Sequence, residues 1–423
     1  MKLNKLAIGA LSLGLGLASV QANFIPNQGT QGYTVIHLTG STAFRGATFR
    51  AVCNALGGEA ACNVAAYNCS AAAAVPAGYV QEQTAKYHGI YGTLPGCGVV
   101  LVKCAWSGSE AGYVDVCTCA SQKENFMEDT EPLGDVGSPI IATTAPTLAL
   151  VSEGAGVNGE LDLAMADNSQ AYSRSKGLGI GNSYAVGVIP FVYSKNAQIS
   201  GEGAPWSEVN NITHPQIRNL IKSGYIDAAT LTGNSADAGK FFYLAGRNYN
   251  SGTRANHLLN AGLAISFAER QITIGGSDGA PTKSATSNAN LAGQDSGGTL
   301  ANTMSYRGSG EASPAWWAIA YLGVPDAVGA QQVNAGGGPV ILSLAGVTES
   351  TAAIQQGQYS YWGTEYISVS TCANACANTL YNTLTANNTS TAAFDAAITA
   401  NLEIALGSMA CTKTTDASDP VHN

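Results

Sequence analysis

The sequence predicts an α/β fold with partly parallel sheets, in a chain organised as two parts. Apolar stretches from Tyr33 to Leu38 and from Phe241 to Gly246 each run into a Gly/Ser/Thr turn and then into a stretch of helical period. Val186 to Tyr193 is a strong strand with Pro190 inside it, which suits an edge or a segment crossing between parts. The ten cysteines fall into two groups, seven between 53 and 119 and three between 372 and 411. Both groups are odd in number, so if all ten pair within the chain at least one bridge joins the groups. The two chain ends are therefore expected to share one part, with the middle forming the other.

In order along the chain, Lys2 and Lys5 precede an apolar stretch from Leu6 to Val20. Small residues follow at Val20 and Ala22, the pattern of a secretory signal over 1–22 cleaved after Ala22. No twin Arg pair is present and no Cys sits at the cleavage point, which predicts Sec-type export without a lipid anchor, to a periplasmic or secreted address. Tyr33 to Leu38 reads as a strand that Gly40-Ser41-Thr42 breaks. Phe44, Ala47, Ala51, Val52, Ala55 and Leu56 then mark a helix that Gly57-Gly58 stops. Residues 57–120, rich in Ala, Gly and Cys, read as a disulfide-stapled insertion. Residues 121–160 read as irregular, with a helix or turn around Asn125 to Asp129.

Leu161 to Ala166 is a short apolar run ending in Asp167-Asn168-Ser169. Ile212 to Gly224 is a helix: Thr213 caps it, Pro215 lies in its first turn, Ile217, Leu220 and Ile221 face inward, and Gly224 ends it. Phe241 to Gly246 is a strand, 247–253 a loop, and Ala255, Leu258 and Leu259 a helix closed by Gly262. Residues 273–313 read as loops with little core. Trp316 to Leu322 is apolar, Val340 to Leu344 is a strand, and Asn378 to Ala405 reads as one or two Ala-rich helices.

Composition narrows the function. The net charge is −9, with 11% charged residues and 50 glycines. A sequence-independent nucleic-acid binder needs a basic surface, so no nucleic acid is expected as a partner. No apolar run beyond the N-terminus reaches the roughly 20 residues that span a bilayer, so the chain is not expected to be membrane-embedded. There is no His-Glu-x-x-His site, and the Gly-x-Ser-x-Gly spacing at 275–279 falls in the stretch 273–313 that reads as loops, not in a strand-to-helix elbow. His37, His88, His214 and His257 are scattered, and His257 reads as a packing or surface residue. One residue between Cys117 and Cys119 is a poor zinc spacing. A non-enzymatic monomer with no metal and no cofactor is the expectation.

Two strand–turn–helix units carry the chemistry. Gly40-Ser41-Thr42 ends one strand, and Arg247 followed by Ser251-Gly252-Thr253 ends another. A helix N-terminus offers unpaired N–H groups and a partial positive charge, which with hydroxyl donors makes an anion site. Arg247 would add a forked, charge-assisted pair of hydrogen bonds to a tetrahedral oxyanion.

These pieces resemble the phosphate-binding periplasmic proteins of ABC importers, within the type 2 periplasmic-binding-protein superfamily. The likeness lies in the Gly-Ser-Thr turn of Leu38 to Phe44, in Asp167 before the crossing strand, and in the helix Ile212 to Ile226. It continues in the Arg-x-x-x-Ser-Gly-Thr loop 247–253, in Ala318-Ile319-Ala320-Tyr321-Leu322-Gly323, similar to the family's Ile-Gly-Tyr strand with Ala in place of Gly, and in the late stretch Gln355 to Tyr366. The resemblance implies two mixed sheets flanked by helices in two lobes, with a hinge crossed twice. Lobe one would hold 23–185 and 341–423, including the insertion at about 57–120, and lobe two would hold 186–340. It implies an oxyanion, phosphate, bound by Ser41, Thr42, Asp167, Arg247, Ser251, Gly252 and Thr253, and an ABC permease as partner. Asp167 would accept a proton from the bound phosphate and so reject fully ionised sulfate. The family's Asp two residues after the Arg is Tyr249 here, and Thr42-Ala43 inverts the usual order. A secreted or surface interaction protein on the same scaffold is the alternative.

Overall fold

The computed structural model describes residues 23–24, 32–70, 75, 80–117, 124–129, 131–150, 161–196, 206–272, 293–305, 317–333, 338–386, 394, 398 and 402–422. The expected signal peptide lies outside the described residues. The fold is mixed α/β, built on a large mixed sheet with helices against it.

The N-terminal region alternates strands and helices: β1 (Thr34–Gly40), α1 (Arg45–Ala55), β2 (Asn63–Tyr67), β3 (Tyr87–Leu94), β4 (Gly98–Ala105), α2 (Ser109–Cys117) and β5 (Leu163–Ala166). Next come β6 (Ser183–Lys195), α3 (His214–Ser223), β7 (Tyr225–Asp227), β8 (Phe241–Ala245) and α4 (Gly252–Asn260). Then follow α5 (Gly297–Ser305), β9 (Trp317–Gly323), α6 (Val324–Val333), β10 (Trp362–Val369) and α7 (Ala375–Thr385).

Two sheets meet in β6. In the first, β4 lies parallel to β1 and β1 parallel to β5, while β3 pairs antiparallel with both β4 and β2. β10 closes that sheet antiparallel to β5, and the first half of β6 pairs with β10 up to the partners Pro190 and Trp362. The second half of β6 leaves for the other sheet, pairing antiparallel with β9; there β8 runs parallel to β9 and antiparallel to β7. The two sheets are therefore one continuous path joined through β6 and β10, and Pro190 sits in the crossing segment.

Two apolar cores flank that joint. Ile36, Leu38, Phe44, Phe49, Val102, Leu163 and Ile367 belong to the first. Ile189, Phe191, Ile217, Leu244, Leu258, Tyr359 and Trp362 belong to the second. The first core ends along β6 at Val186 and the second begins at Val188. Leu342 to Trp362, Ile404 and Cys411 pack in the second core, whereas Ala377 to Leu384 and Ile398 pack in the first.

Several elements follow local chemistry. Thr213 and Gln216 form a capping box on α3, Pro215 stands in its first turn, and Gly224 ends it in the left-handed conformation. Gly40 has φ +116, and a Cβ there would lie 2.0 Å from the Met165 carbonyl oxygen, so the β1–β5 contact requires glycine.

Three expectations are corrected. Residues 57–120 are no insertion: β2, β3 and β4 are strands of the first sheet, and the run from Gly98 to Ala105 has the unbroken apolar centre of a buried strand. Asn125–Met127 is a short strand instead of a helix or turn. Residues 297–305 form α5, which buries Leu300, Ala301 and Met304 where loop was expected. Cys97 and Cys376 form a disulfide between the two cysteine groups, and Cys372 is also disulfide-bonded. Cys53, Cys62, Cys69, Cys104, Cys117 and Cys411 are free thiols. No helix among the described residues is long and apolar enough to cross a membrane.

Candidate functional site

The parallel pairing of β1 and β5 sets their C-terminal ends side by side, where α/β sheets present ligands. Ser41 leaves β1, and its N–H donates to the Met165 carbonyl at 2.8 Å, two residues before Asp167. From the second core, β8 delivers Arg247, and Ser251, Gly252 and Thr253 open α4. Both turns also do ordinary capping work. Ser41 Oγ accepts from the Phe44 N–H at 3.2 Å, and Ser251 Oγ accepts from the Arg254 N–H at 3.1 Å.

The seven residues converge. Arg247 Nη2 donates to Thr42 Oγ1 at 3.4 Å, and Thr253 Oγ1 donates to Asp167 Oδ2 at 3.3 Å. Each of these bonds spans the two cores. Gly252 lies so close to the start of α2 and the end of β5 that a Cβ would stand 2.4 Å from Ser109 Oγ and 2.9 Å from Asp167 Cγ. Asn256 Nδ2, one turn into α4, donates to the Asp167 carbonyl at 2.8 Å. The group is dry: Ser41 is 0% exposed, Asp167 2% and Arg247 1%.

The flank of the cleft is shut by a second set of contacts. Glu110 N–H donates to the Asn250 carbonyl at 3.0 Å, and Arg174 Nη2 donates to Asn250 Oδ1 at 2.9 Å. Tyr249 does not brace Arg247; its ring faces the Arg174 guanidinium, 4.0 Å from ring centroid to Arg174 Cζ. Arg247 is held instead by the carbonyls of Gln294 (3.2 Å) and Asp295 (3.0 Å). Its backbone N–H donates to the Tyr321 hydroxyl at 2.8 Å, and that hydroxyl donates to Glu269 at 2.7 Å. His257 stacks on Tyr321 at 4.0 Å and is a buried packing residue.

Burial dominates the electrostatics. It pulls the Arg247 pKa down from its ordinary value, and the charge of Asp326, then Tyr321, Asp167 and Asp295, pulls it back up. Burial pushes Glu269 up to about 7, opposed by Arg254 and the Tyr321 hydrogen bond. Glu365, on β10 behind the site, is raised well above the carboxylate range by burial and by Asp167 and Glu403, with Ser41 opposing.

Chemically, the arrangement sets hydroxyls, one guanidinium and a helix N-terminus around one carboxylate. Donors outnumber acceptors, which suits an oxyanion that still carries a proton. Among the described residues no group of three or more His, Cys, Asp or Glu is placed to hold a metal.

Ser109 is the residue that sequence reasoning missed. Its hydroxyl donates to Asp167 Oδ1 and accepts from the Asp167 N–H. The signal was present, since Ser107-Gly108-Ser109 is a third small-residue turn between a strand and a helix. Reading the Cys-rich stretch as an insertion concealed it. Asp326 gave no local signal; Tyr321 and Glu365 fall in stretches noted for their resemblance, but only packing brings their side chains to the site.

No family model matches the sequence, and no curated protein matches it. Among solved structures, the chain is similar to a protein provisionally assigned as a phosphate ABC transporter substrate-binding protein from Clostridium perfringens, solved with phosphate bound. That likeness has 11% identity and a TM-score of 0.48, over 88% of this chain and 100% of that one. The chain is also similar to an ABC-type phosphate transport receptor from Vibrio cholerae (11% identity, TM-score 0.42, 87% of this chain and 99% of that one) and to PstS from Borrelia burgdorferi (11%, 0.38, 88% and 98%).

Proposed function

We propose that this chain is an exported two-lobe protein that binds an oxyanion, phosphate, between its two cores and presents it to an ABC-type permease. The observation that carries the reading is the meeting of Thr42, Asp167, Arg247 and Thr253 across the two cores. Lobe one comprises the first core and lobe two the second, with the boundary in β6 and in β10 instead of at 341. The ligand docks on one lobe, and closure completes the remaining hydrogen bonds. Ser41, Thr42, Ser251, Gly252, Thr253 and Arg247 donate, and Asp167 accepts a proton from the anion.

A second reading, an interaction protein on the same scaffold, draws on one observation: Asp326, Asp167 and Asp295 already balance the Arg247 charge. Titration calorimetry on the anion-stripped mature chain at pH 7 separates the two. The expected result is micromolar or tighter phosphate binding that sulfate does not compete, and loss of at least roughly 100-fold in affinity for Arg247→Ala, from two charge-assisted hydrogen bonds at roughly 1.5–3 kcal/mol each. No heat from any oxyanion on folded protein favours the interaction reading. Wild-type affinity in Arg247→Ala removes the site assignment.

A further inference from the structure

Two adjoining cavities, of about 230 Å³ and about 60 Å³, open beside the candidate anion site and share Thr42, Arg45 and Asn302 in their lining. The larger is several times the roughly 30 Å³ share of one water. Thr42 belongs to both places: its hydroxyl accepts from Arg247, and the residue lines both cavities. Lobe one contributes Arg45 and Lys86 to this region; lobe two contributes Asp295 to the larger cavity, Asp326 to the smaller and Asn302 to both.

The charges there are arranged in a particular way. Lys86 and Asp295 pair across the gap at 3.7 Å. Arg45 and Asp326 feel each other's charge but make no ion pair within 4.0 Å. Among the described residues neither has a hydrogen-bond partner. Asn302, which lines both cavities, likewise has none for its amide. A guanidinium offers donors only and a carboxylate acceptors only, so Arg45 and Asp326 facing the smaller cavity suit hydroxyl groups, which do both. Over the two cavities Arg45 and Lys86 are matched by Asp295 and Asp326, so nothing calls for a second phosphate. The one aromatic ring at the wall, Trp106, is 1% exposed and donates its indole N–H to His88, leaving no apolar face for a base or an acyl chain.

We propose that the ligand is a phosphomonoester of a polyhydroxylated compound, with its phosphate at Thr42 and Arg247 and its hydroxylated body in the two adjoining cavities, against Arg45, Asp326 and Asn302. This rests on the anion-binding reading above and names its substrate class. No bond is made or broken.

The test is calorimetry on the anion-stripped mature chain with orthophosphate, glucose 6-phosphate, glycerol 1-phosphate and myo-inositol 1-phosphate, repeated with Arg45→Gln. At least one ester is expected to bind tenfold or more tightly than orthophosphate. Arg45→Gln is expected to abolish that preference while leaving orthophosphate affinity within threefold, which also shows the variant folded. Orthophosphate binding without competition from any of the three esters overturns this proposal and leaves the anion-binding reading standing. Loss of orthophosphate binding in folded Arg45→Gln places Arg45 in the anion site itself and also overturns it. Binding of neither orthophosphate nor any ester by the wild type overturns both.

Discussion

Asp167 receives two hydroxyl donors from different parts of the chain, Ser109 from α2 and Thr253 from α4. A carboxylate facing a bound oxyanion selects for a ligand that keeps one proton, because two anionic oxygens without a shared hydrogen repel. Asp167→Asn is therefore expected to gain sulfate binding and to narrow the phosphate-to-sulfate preference by tenfold or more, read by competition calorimetry. An unchanged preference removes the gating role. A second residue sets acid stability. His88 Nε2–H donates to the Glu82 carbonyl at 2.7 Å, and Nδ1 accepts the Trp106 indole N–H at 3.0 Å, which fixes one neutral tautomer. Burial pushes its pKa down to about 4. The folded state thus takes up this proton less readily than the unfolded chain, whose His titrates near 6.5, so stability is full above about 6.5 and falls as pH drops toward 4. The loss is at most about 3 kcal/mol. Urea midpoints at pH 7 and pH 4.5 are expected to differ less in His88→Gln than in the wild type. Equal differences exclude His88 as the source.

At the scale of elements, α4 joins its cap to its approach. Ser251 satisfies the Arg254 N–H, and Gly252 then lets the first turn press against Ser109 and Asp167. Gly252→Ala keeps a good helix former at a helical position, so the fold is expected to persist with a Tm within a few degrees. The added methyl lies in the seam between lobes, so the closed arrangement is what it costs. Calorimetry is expected to show a loss of tenfold or more in phosphate affinity. Wild-type affinity would mean the lobes need not approach this closely to bind. The missing Asp at position 249 is compensated by elements distant in sequence: β9 supplies Tyr321, and the segment before α5 supplies the Gln294 and Asp295 carbonyls. Tyr249 is thereby left to grip Arg174 on the rim.

For the whole molecule, the Cys97–Cys376 bridge ties the β3–β4 turn to α7 across a sequence separation of 279 residues. A closure that long constrains the unfolded chain strongly, and native bridges are typically worth about 2–4 kcal/mol. The double variant Cys97→Ser, Cys376→Ser is expected to unfold at lower denaturant by that amount while keeping any anion affinity, because the bridge packs against the first core and touches none of the candidate site residues. An unchanged midpoint would show that the first core holds these ends without it. The two cores are joined by β6 and β10, two long strands that contribute to both, so any relative motion of the cores must bend these strands instead of separating the sheets.

The sequence by itself determined the elements whose signals are local. α3 could be read from Thr213, Pro215, the inward face of Ile217, Leu220 and Ile221, and Gly224, because capping and helical period act within a few residues. β1 and β8 with their small-residue turns were legible for the same reason. Cysteine parity implied a bridge between the groups only on the premise that all ten pair; among the described residues six are free thiols, so packing and not counting decided the Cys97–Cys376 bridge. Tertiary structure alone decided the rest. β2 to β4 look like a cysteine-rich insertion until β4 pairs with β1, because strand pairing is non-local and burial overrides composition. α5 lies in a stretch rich in Gly, Ser and Asn and is fixed by burying Leu300 and Met304. At the site, Ser41, Asp167 and Arg247 announced their chemistry by residue type, but the pairing of Arg247 with Thr42 spans 205 positions. Whether such residues meet depends on how two sheets share β6, a property of the folded chain that no local window contains.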